Sequence, residues 1–213
     1  MPINPDELFP ITGVNSICFI KNNIKNPNII IGDYTYYSDN KNAENFESCV
    51  THHYNFIGDK LIIGKFCAIA QGVEFIMNGA NHYMKGFSTY PFSIFGDEWK
   101  TSAPTLEDLD LRGDTVIGND VWIGQNVTIL PGINIGDGAI VAANAVVSHN
   151  IPPYHIFAGN PAKCVKKRFT QETIDLLLKV KWWDWPIEKI TKNLSVITQA
   201  DIKSLIKLCD NAI

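Results

Sequence analysis

His82 is the side chain in this sequence best suited to acid–base chemistry. It lies in the segment IMNGANHYMKG, between Asn81 and Tyr83 and shortly after the small residues Gly79 and Ala80. Imidazole exchanges a proton near neutral pH, so a histidine held in position is the most common general base in enzymes. The alternative is a loop histidine that only makes a hydrogen bond to a backbone carbonyl. The local sequence leaves both interpretations open.

A second chemical feature is a group of cations near the end of the chain. In the segment GNPAKCVKKR, four cations follow the turn-forming pair Asn160-Pro161. Concentrated positive charge beside a turn suits a ligand that carries phosphate groups. A solvated loop before a helix is the alternative. The four cations are Lys163, Lys166, Lys167 and Arg168.

A six-residue repeat indicates how these residues are positioned. From Ile117 to Pro152 the sequence divides into the hexapeptides IGNDVW, IGQNVT, ILPGIN, IGDGAI, VAANAV and VSHNIP. Every first position is a β-branched aliphatic residue and every fifth position is small or apolar. An earlier block that begins at Ile57 follows the same pattern, and IGDYTY from Ile31 is an isolated copy.

A period of six is typical of a parallel β-helix, in which three short strands make one coil. Each strand contributes an apolar residue to a narrow interior, and β-branched side chains suit that buried, pleated surface. Gly, Asn and Asp between the strands tolerate the left-handed backbone of sharp corners. An α-helix is excluded because a period of six does not keep to one helix face, and a β-sandwich would need longer alternating strands. The sequence therefore predicts a mainly β fold.

Two regions depart from the repeat. Residues 76–115 form a long excursion that is rich in aromatic residues, which predicts an ordered, packed and functional loop. Residues 169–213 have apolar spacings of three and four, with Thr170 as the candidate N-cap, which predicts helices over the end of the solenoid. We therefore expect a β-helix domain over residues 1–168, including the excursion 76–115, and a C-terminal α-helical cap over residues 169–213.

The composition excludes several other classes of protein. The chain has 213 residues, of which 46% are hydrophobic and 19% charged, as in ordinary globular proteins. A net charge of −4 argues against a nucleic-acid or membrane-surface binder. No apolar run approaches the roughly 18 residues of a membrane span, and the N-terminal sequence lacks the pattern of a secretory signal. Five cysteines without a CxxC pair argue against a disulfide or zinc scaffold, so we expect a cytoplasmic protein.

Several segments together carry a family resemblance. They are the hexapeptide blocks, IMNGANH, STYPF, GDTVIGNDVWIGQNVTILPG, IGDGAIVAANAVV and GNPAK. These segments resemble the xenobiotic acetyltransferases of the hexapeptide-repeat superfamily. DYTYYSD, THHYNFIGDKLIIGKFCAIA and KVKWWDWP are similar to the streptogramin A acetyltransferase branch in particular. The repeat alone specifies only the fold, whereas the combination of NGANH, STYPF and GNDVWIG is specific to the family.

The resemblance implies a left-handed parallel β-helix that forms a homotrimer, with the active site between neighbouring subunits. It also implies acetyl-CoA as the donor, no metal, and direct transfer of the acetyl group to a hydroxyl of a streptogramin A antibiotic, which inactivates it. His82 would be the general base, and Tyr37 and Tyr54 would line the pocket for this small-molecule acceptor. The residues that correspond to coenzyme A contacts are Trp122, Ala142, Ala143, Asn160, Pro161, Lys163 and Lys167.

Other functions remain as alternatives at this point. The same chemistry could act on chloramphenicol, on another hydroxyl-bearing xenobiotic or on a sugar, and Tyr83, where many relatives carry Arg, leaves the acceptor preference open. A metal-dependent enzyme of the γ-carbonic anhydrase kind would need three converging histidines, which the coils do not offer. A non-catalytic β-helix would have no reason to keep His82 in a Gly/Asn-rich loop beside STYPF.

Overall fold

The computed structural model describes residues 3–210, apart from the side chains of Ser102, Cys209 and Asp210. Residues 1–2 of the predicted β-helix domain and residues 211–213 of the predicted cap lie outside the described residues.

Short strands make three sheets, which are the three faces of a prism. The first face has the strand order β1-β3-β6-β9-β12-β14-β15, the second β13-β10-β7-β4 and the third β11-β8-β5-β2. The strands are β1 (Ile17–Phe19), β2 (Ile29–Ile31), β3 (Tyr36–Ser38), β4 (Val50–Thr51), β5 (Leu61–Ile63), β6 (Ala68–Ala70), β7 (Glu74–Ile76), β8 (Thr115–Ile117), β9 (Trp122–Ile123), β10 (Thr128–Ile129), β11 (Asn134–Ile135), β12 (Ile140–Val141), β13 (Val146–Val147), β14 (His155–Ala158) and β15 (Lys163–Lys167).

From β2 to β14 consecutive strands belong to different faces, and neighbouring strands on one face pair in parallel one coil apart. The register of β5, β8 and β11 shows this, since Ile63 pairs with Ile117 and Ile117 pairs with Ile135. Two antiparallel pairs among the described strands, β1 with β3 and β14 with β15, lie at the ends of the first face. This is the predicted left-handed parallel β-helix with three strands per coil.

The repeat positions face the interior as predicted. From Ile117 onward, the first positions of the hexapeptides are at most 2% exposed and the fifth positions at most 4% exposed. In the earlier block Ile63, Ile69 and Phe75 are buried in the same way. Ile57 does not fit the pattern, because it lies half-buried in a turn before β5 and not in a coil. The aligned side chains form one continuous apolar core along the prism.

The corner between the third and first faces, which we call the aromatic corner, differs in part from the prediction of Gly, Asn and Asp, because three of its five coils carry an aromatic residue there. Its residues with positive φ are Tyr34, Phe66, Asp120, Gly138 and Tyr154. A bulky side chain in the left-handed region is strained. Ring contacts offset that strain, since the rings of Tyr34 and Phe66 stack with their centroids 4.9 Å apart.

The C-terminal helices extend along the aromatic corner, and so they cover a side of the prism and not only its end. The Trp182 ring lies 5.1 Å from that of Phe66, and Lys65 pairs with Asp184 at 2.8 Å between Nζ and Oδ1. Because Lys65 and Phe66 belong to the second coil, the helices reach back over most of the β-helix. They are α1 (Gln171–Val180), α2 (Ile187–Lys192), α3 (Leu194–Thr198) and α4 (Ile202–Asp210).

Helix α1 begins where the sequence predicts. The Thr170 hydroxyl accepts a hydrogen bond from the N–H of Thr173 at 3.4 Å, which makes Thr170 the N-cap. Lys181, with φ of 45°, ends the helix in a left-handed C-cap. Among the described residues, the helices include none that is long and apolar enough to span a bilayer.

The excursion occupies residues 77–114, slightly less than predicted, because Ile76 and Thr115 still belong to strands. Its aromatic residues pack against one another as expected: the Tyr90 and Phe95 rings stack at 5.4 Å, and the Phe92 and Trp99 rings meet edge to face at 5.3 Å. These side chains nevertheless stay about half exposed. This aromatic part of the excursion is therefore held by contacts among its own rings and presents an apolar surface. Its 3₁₀ turns are Asn78–Ala80, Phe92–Phe95, Asp97–Ser102 and Leu106–Asp108.

Asp120, at the aromatic corner, should give the protein a measurable pH dependence of stability. Burial raises the pKa of Asp120 to about 6 from 3.8, although the Arg168 guanidinium 3.6 Å away opposes the shift. Between these two values the folded state binds more protons than the unfolded state, so this residue lowers stability as the pH rises through about 6. We therefore compare the free energy of unfolding of Asp120→Asn with that of wild type by urea unfolding. The variant minus wild-type difference should be more favourable to the variant at about pH 8 than at about pH 4.

The control for this measurement is Asp175→Asn, which changes an exposed carboxylate on α1. It changes the net charge of the protein by the same amount, so the comparison isolates the effect of burial at Asp120. A stability difference for Asp120→Asn that does not vary with pH would contradict the shift.

Candidate active site

A cavity of about 440 Å³ separates the excursion from the side of the β-helix, and His82 lies on its wall. Most of its lining comes from three segments: the turn after β4, the first turn of the excursion, and the STYPF segment. The lining is largely aromatic and apolar, which suits a molecule with few polar groups. The lining includes His52, Tyr54, Phe56, Gly79, His82, Thr89, Tyr90 and Phe92.

The His82 ring is oriented by a backbone carbonyl. Its Nδ1 lies 2.8 Å from the carbonyl oxygen of Thr89. A carbonyl oxygen only accepts, so Nδ1 carries the hydrogen and Nε2 keeps its lone pair. The side chain is exposed to the cavity. The two interpretations of His82 left open by the sequence are therefore compatible, because the bond to the carbonyl is what leaves Nε2 free to take a proton.

Thr89 is the functional residue that sequence reasoning missed. It belongs to STYPF, the segment already singled out for its resemblance. Its contribution to the His82 ring is a main-chain oxygen, and any residue type supplies that atom. The sequence signal for this contact was therefore the STYPF motif as a whole, because the Thr89 side chain takes no part in it.

Gly79 allows the first turn of the excursion to approach Tyr54. A Cβ atom at position 79 would lie 2.3 Å from the His52 carbonyl oxygen and 2.4 Å from Cδ2 of Tyr54. The Gly79 N–H donates to that same carbonyl at 3.1 Å. The Tyr54 ring in turn stacks on Phe56 at 5.6 Å. The structure thus brings His82 and Tyr54, two of the predicted site residues, to one cavity.

Tyr37 lies elsewhere. It is 3% exposed, its ring meets that of Phe46 edge to face at 5.6 Å, and its hydroxyl donates to Oδ2 of Asp39 at 2.9 Å. Because the side chain is enclosed by its own coil, it does not line the cavity of His82. A role for Tyr37 in the acceptor pocket stays a prediction.

The predicted coenzyme contacts lie on or beside the first face, away from the cavity of His82. Trp122 projects from β9 and is 56% exposed, and Ala142 follows β12 at the corner between the first and second faces. The excursion instead leaves the prism at the corner between the second and third faces. Within the described chain none of these contacts lines the cavity. The set is Trp122, Ala142, Ala143, Asn160, Pro161, Lys163 and Lys167.

The cationic cluster divides into two parts. Lys163, Lys166 and Lys167 are exposed along β15. Arg168 instead turns toward the prism, where Nη1 donates to the carbonyl of Gly138 at 2.6 Å. The three lysines are therefore accessible to a phosphate, although Nζ of Lys167 also donates to Oε1 of Gln171 at 2.7 Å. Arg168 instead supports the aromatic corner.

The buried thiols offer no competing nucleophile. Burial raises the pKa of Cys67 to about 12 and that of Cys18 to about 11, so both stay protonated at neutral pH. Cys67 is fully buried at a fifth repeat position, where a small apolar side chain is expected. Among the described residues, no group of three or more His, Cys, Asp or Glu side chains is placed to hold a metal ion.

Comparison with known proteins identifies the repeat and several relatives. The family model described as bacterial transferase hexapeptide (six repeats) matches residues 114–149. The chain is 61% identical to a probable macrolide acetyltransferase of Lysinibacillus sphaericus, over 75% of this chain and 89% of that protein. It is 52% identical to a virginiamycin A acetyltransferase of Staphylococcus aureus, over 95% and 91%. A chloramphenicol acetyltransferase of Klebsiella aerogenes is 41% identical, over 86% and 89%.

The hydrogen bond to Thr89 predicts the tautomer of neutral His82. With ¹⁵N-labelled histidine, we expect Nε2 of His82 to resonate as an unprotonated imidazole nitrogen and Nδ1 as a protonated one. The signals are assigned by their loss in His82→Gln. A neutral ring with the hydrogen on Nε2 would contradict the geometry.

Proposed function

Because the chain belongs to the hexapeptide-repeat acetyltransferase family, we propose that it acetylates a hydroxyl group of a streptogramin A antibiotic and thereby inactivates it, with His82 as the general base. The chain is an acetyl-CoA-dependent acyltransferase. The observation that carries the proposal is the His82 ring, whose Nδ1 is held by the Thr89 carbonyl while the side chain lines the cavity. The choice of acceptor is supported by the 52% identity to the virginiamycin A acetyltransferase over nearly the whole chain.

The proposed reaction is direct transfer. Nε2 of His82 removes the hydroxyl proton as the acceptor oxygen attacks the thioester carbonyl of acetyl-CoA. The Thr89 carbonyl stabilises the imidazolium that forms, because Nδ1 keeps its hydrogen. The tetrahedral intermediate collapses, the C–S bond breaks, and the imidazolium returns the proton to the departing thiolate. No acyl-enzyme is needed, so alignment of the two substrates supplies much of the acceleration.

The walls of the cavity support an acceptor that is mainly apolar. Tyr54 and Phe56 form a stacked pair on one side, and the rings of Tyr90 and Phe92 meet edge to face on the STYPF segment. Flat aromatic surfaces bind rings and unsaturated chains well, while few polar groups compete for the hydroxyl. Tyr83 also lines the cavity and adds to this surface.

A homotrimer with active sites between subunits is the assembly that we propose. In one chain His82 and the predicted coenzyme contacts lie at different corners of the prism. A neighbouring copy that presents its first face to the excursion would complete the site. The exposed aromatic side chains of the excursion would then be covered, which favours association. The residue assignments for coenzyme A rest on this assembly.

We also place the enzyme in the cytoplasm, where acetyl-CoA is available to it. The described cysteine side chains Cys18, Cys49, Cys67 and Cys164 are free thiols, which fits a reducing compartment.

An acceptor panel tests the proposed function directly. Release of thiol from acetyl-CoA is measured with a streptogramin A, a macrolide, chloramphenicol and an amino sugar. We expect release with the streptogramin A, accompanied by loss of its antibacterial activity. Release only with the macrolide would move the acceptor to the compound class in the name of the Lysinibacillus relative. Release with none of the four would contradict the proposal.

Loss of the proposed base should lower kcat strongly and leave coenzyme binding nearly unchanged. For His82→Ala we expect kcat to fall by about 10²- to 10⁴-fold, the usual contribution of a general base, with little change in KM for acetyl-CoA. His149→Ala, which removes an exposed histidine before the last coil, is the control and should keep wild-type turnover. Full turnover of a folded His82→Ala enzyme would overturn the assignment.

A further inference from the structure

A buried polar network closes the base of the excursion. The Asn78 side chain is completely buried, and its Nδ2 donates to Oδ2 of Asp59 at 2.7 Å and to the carbonyl of Gly113 at 2.8 Å. Its Oδ1 accepts from the N–H of Arg112 at 2.7 Å. One amide therefore ties the first residues of the excursion to the last residues before β8, and ties both to the β-helix through Asp59.

Asp59 is a buried carboxylate that pairs with no lysine or arginine among the described residues. It is 6% exposed, and its Oδ2 also accepts from the backbone N–H of Asn78 at 3.0 Å. Its Oδ1 has no hydrogen-bond partner among the described residues. His53 Nε2 lies 4.0 Å from Oδ1, but that nitrogen donates to the Asp59 main-chain carbonyl at 2.8 Å. The other ring nitrogen of His53 accepts from Asn26.

Such an arrangement lowers stability relative to a neutral side chain. A buried charge is unfavourable unless hydrogen bonds or a counter-charge compensate for the lost water. Here Oδ1 has no hydrogen-bond partner among the described residues, and the His53 ring 4.0 Å away makes its hydrogen bonds elsewhere. Asparagine at position 59 would supply an acceptor oxygen without burying a charge. The carboxylate does one thing that the amide cannot: its charge-assisted hydrogen bonds are roughly twice as strong as neutral ones. Local features that weaken a fold in this way concentrate at functional sites.

The network leads directly to His82. Asn78 starts the 3₁₀ turn Asn78–Ala80, and the turn is followed by Asn81 and His82. The Asn81 amide donates to the carbonyl of Asp110 at 2.9 Å. Because the His82 side chain is exposed, burial does not fix its position. Its ring is held by Thr89, and its main chain is held by the turn that Asp59 and Asn78 anchor.

We propose that Asp59 and Asn78 are positioning residues for acetyl transfer, which hold the main chain of His82 so that Nε2 meets the acceptor hydroxyl. The inference rests on the proposed role of His82 as the base. Neither residue lines the cavity, so neither touches a substrate. Their effect on the rate comes from geometry, since a shift of about 1 Å in a reacting group can lower a rate by about 10²-fold.

The decisive variant is Asp59→Asn, which removes the charge and keeps the shape. We expect kcat to fall by about 10- to 100-fold, with KM for acetyl-CoA changed by less than about twofold because the predicted coenzyme contacts lie on another face. The amide hydrogens of Asn78 and Arg112 should also exchange faster with solvent than in wild type. That second measurement does not depend on activity.

Thr35→Val is the matched control for loss of buried hydrogen bonds. The fully buried Thr35 hydroxyl donates to the Gly64 carbonyl at 2.6 Å and accepts from the Cys67 N–H at 3.0 Å, at the aromatic corner and outside the network. We expect this variant to melt at a lower temperature, with wild-type kcat and unchanged exchange at Asn78 and Arg112. If Asp59→Asn gives too little folded protein, Asn78→Ser serves the same test.

Wild-type kcat in Asp59→Asn, or an equal fall of kcat in Thr35→Val, would overturn the positioning role. Either result alongside an inactive His82→Ala enzyme would leave the proposed function intact. Full turnover by His82→Ala would instead overturn the proposed function, whatever the behaviour of Asp59→Asn.

Discussion

The narrow interior of the β-helix is the constraint on which the rest of the structure depends. Each short strand turns one apolar side chain inward, and backbone hydrogen bonds to the coils above and below satisfy the chain between them. Such an interior is filled by its own apolar side chains and offers neither space nor polar groups for binding a substrate. Chemistry is therefore confined to the outside of the prism, at corners where the chain can leave the repeat.

The excursion supplies the candidate site outside the prism. It has no hydrophobic core of its own, so other contacts must order it. Two kinds of contact order it. Aromatic rings pack on one another at its outer end, and a buried amide and carboxylate close its base at Asn78 and Asp59. Between them lies His82, exposed to the cavity but held by a main-chain carbonyl. An exposed base on an anchored turn can reach a substrate and still keep a defined direction.

The proposed base and the predicted coenzyme contacts lie in separate places on one chain. The first face carries the predicted coenzyme contacts, and the cavity with His82 lies beyond another corner. A repeat that extends in one direction offers no deep cleft, so a site between copies is a natural way to surround two substrates at once. The apolar outer surface of the excursion is consistent with such an assembly.

The sequence alone determined the coil architecture, because a period of six with inward β-branched residues suits a narrow three-sided solenoid and little else. It also determined His82 as the candidate base and Thr170 as a helix start, since these depend on short motifs. It failed where distant segments meet. The sequence did not predict the αL corner at Tyr34 and Phe66, because stacking between coils compensates for the strain. It likewise did not predict that helices would run along that corner. Only the tertiary structure decided which atom orients His82 and which buried carboxylate anchors its turn. The first contact uses a backbone carbonyl, which every residue type has, and the second joins segments that are distant in the sequence. Neither contact therefore leaves a local sequence pattern.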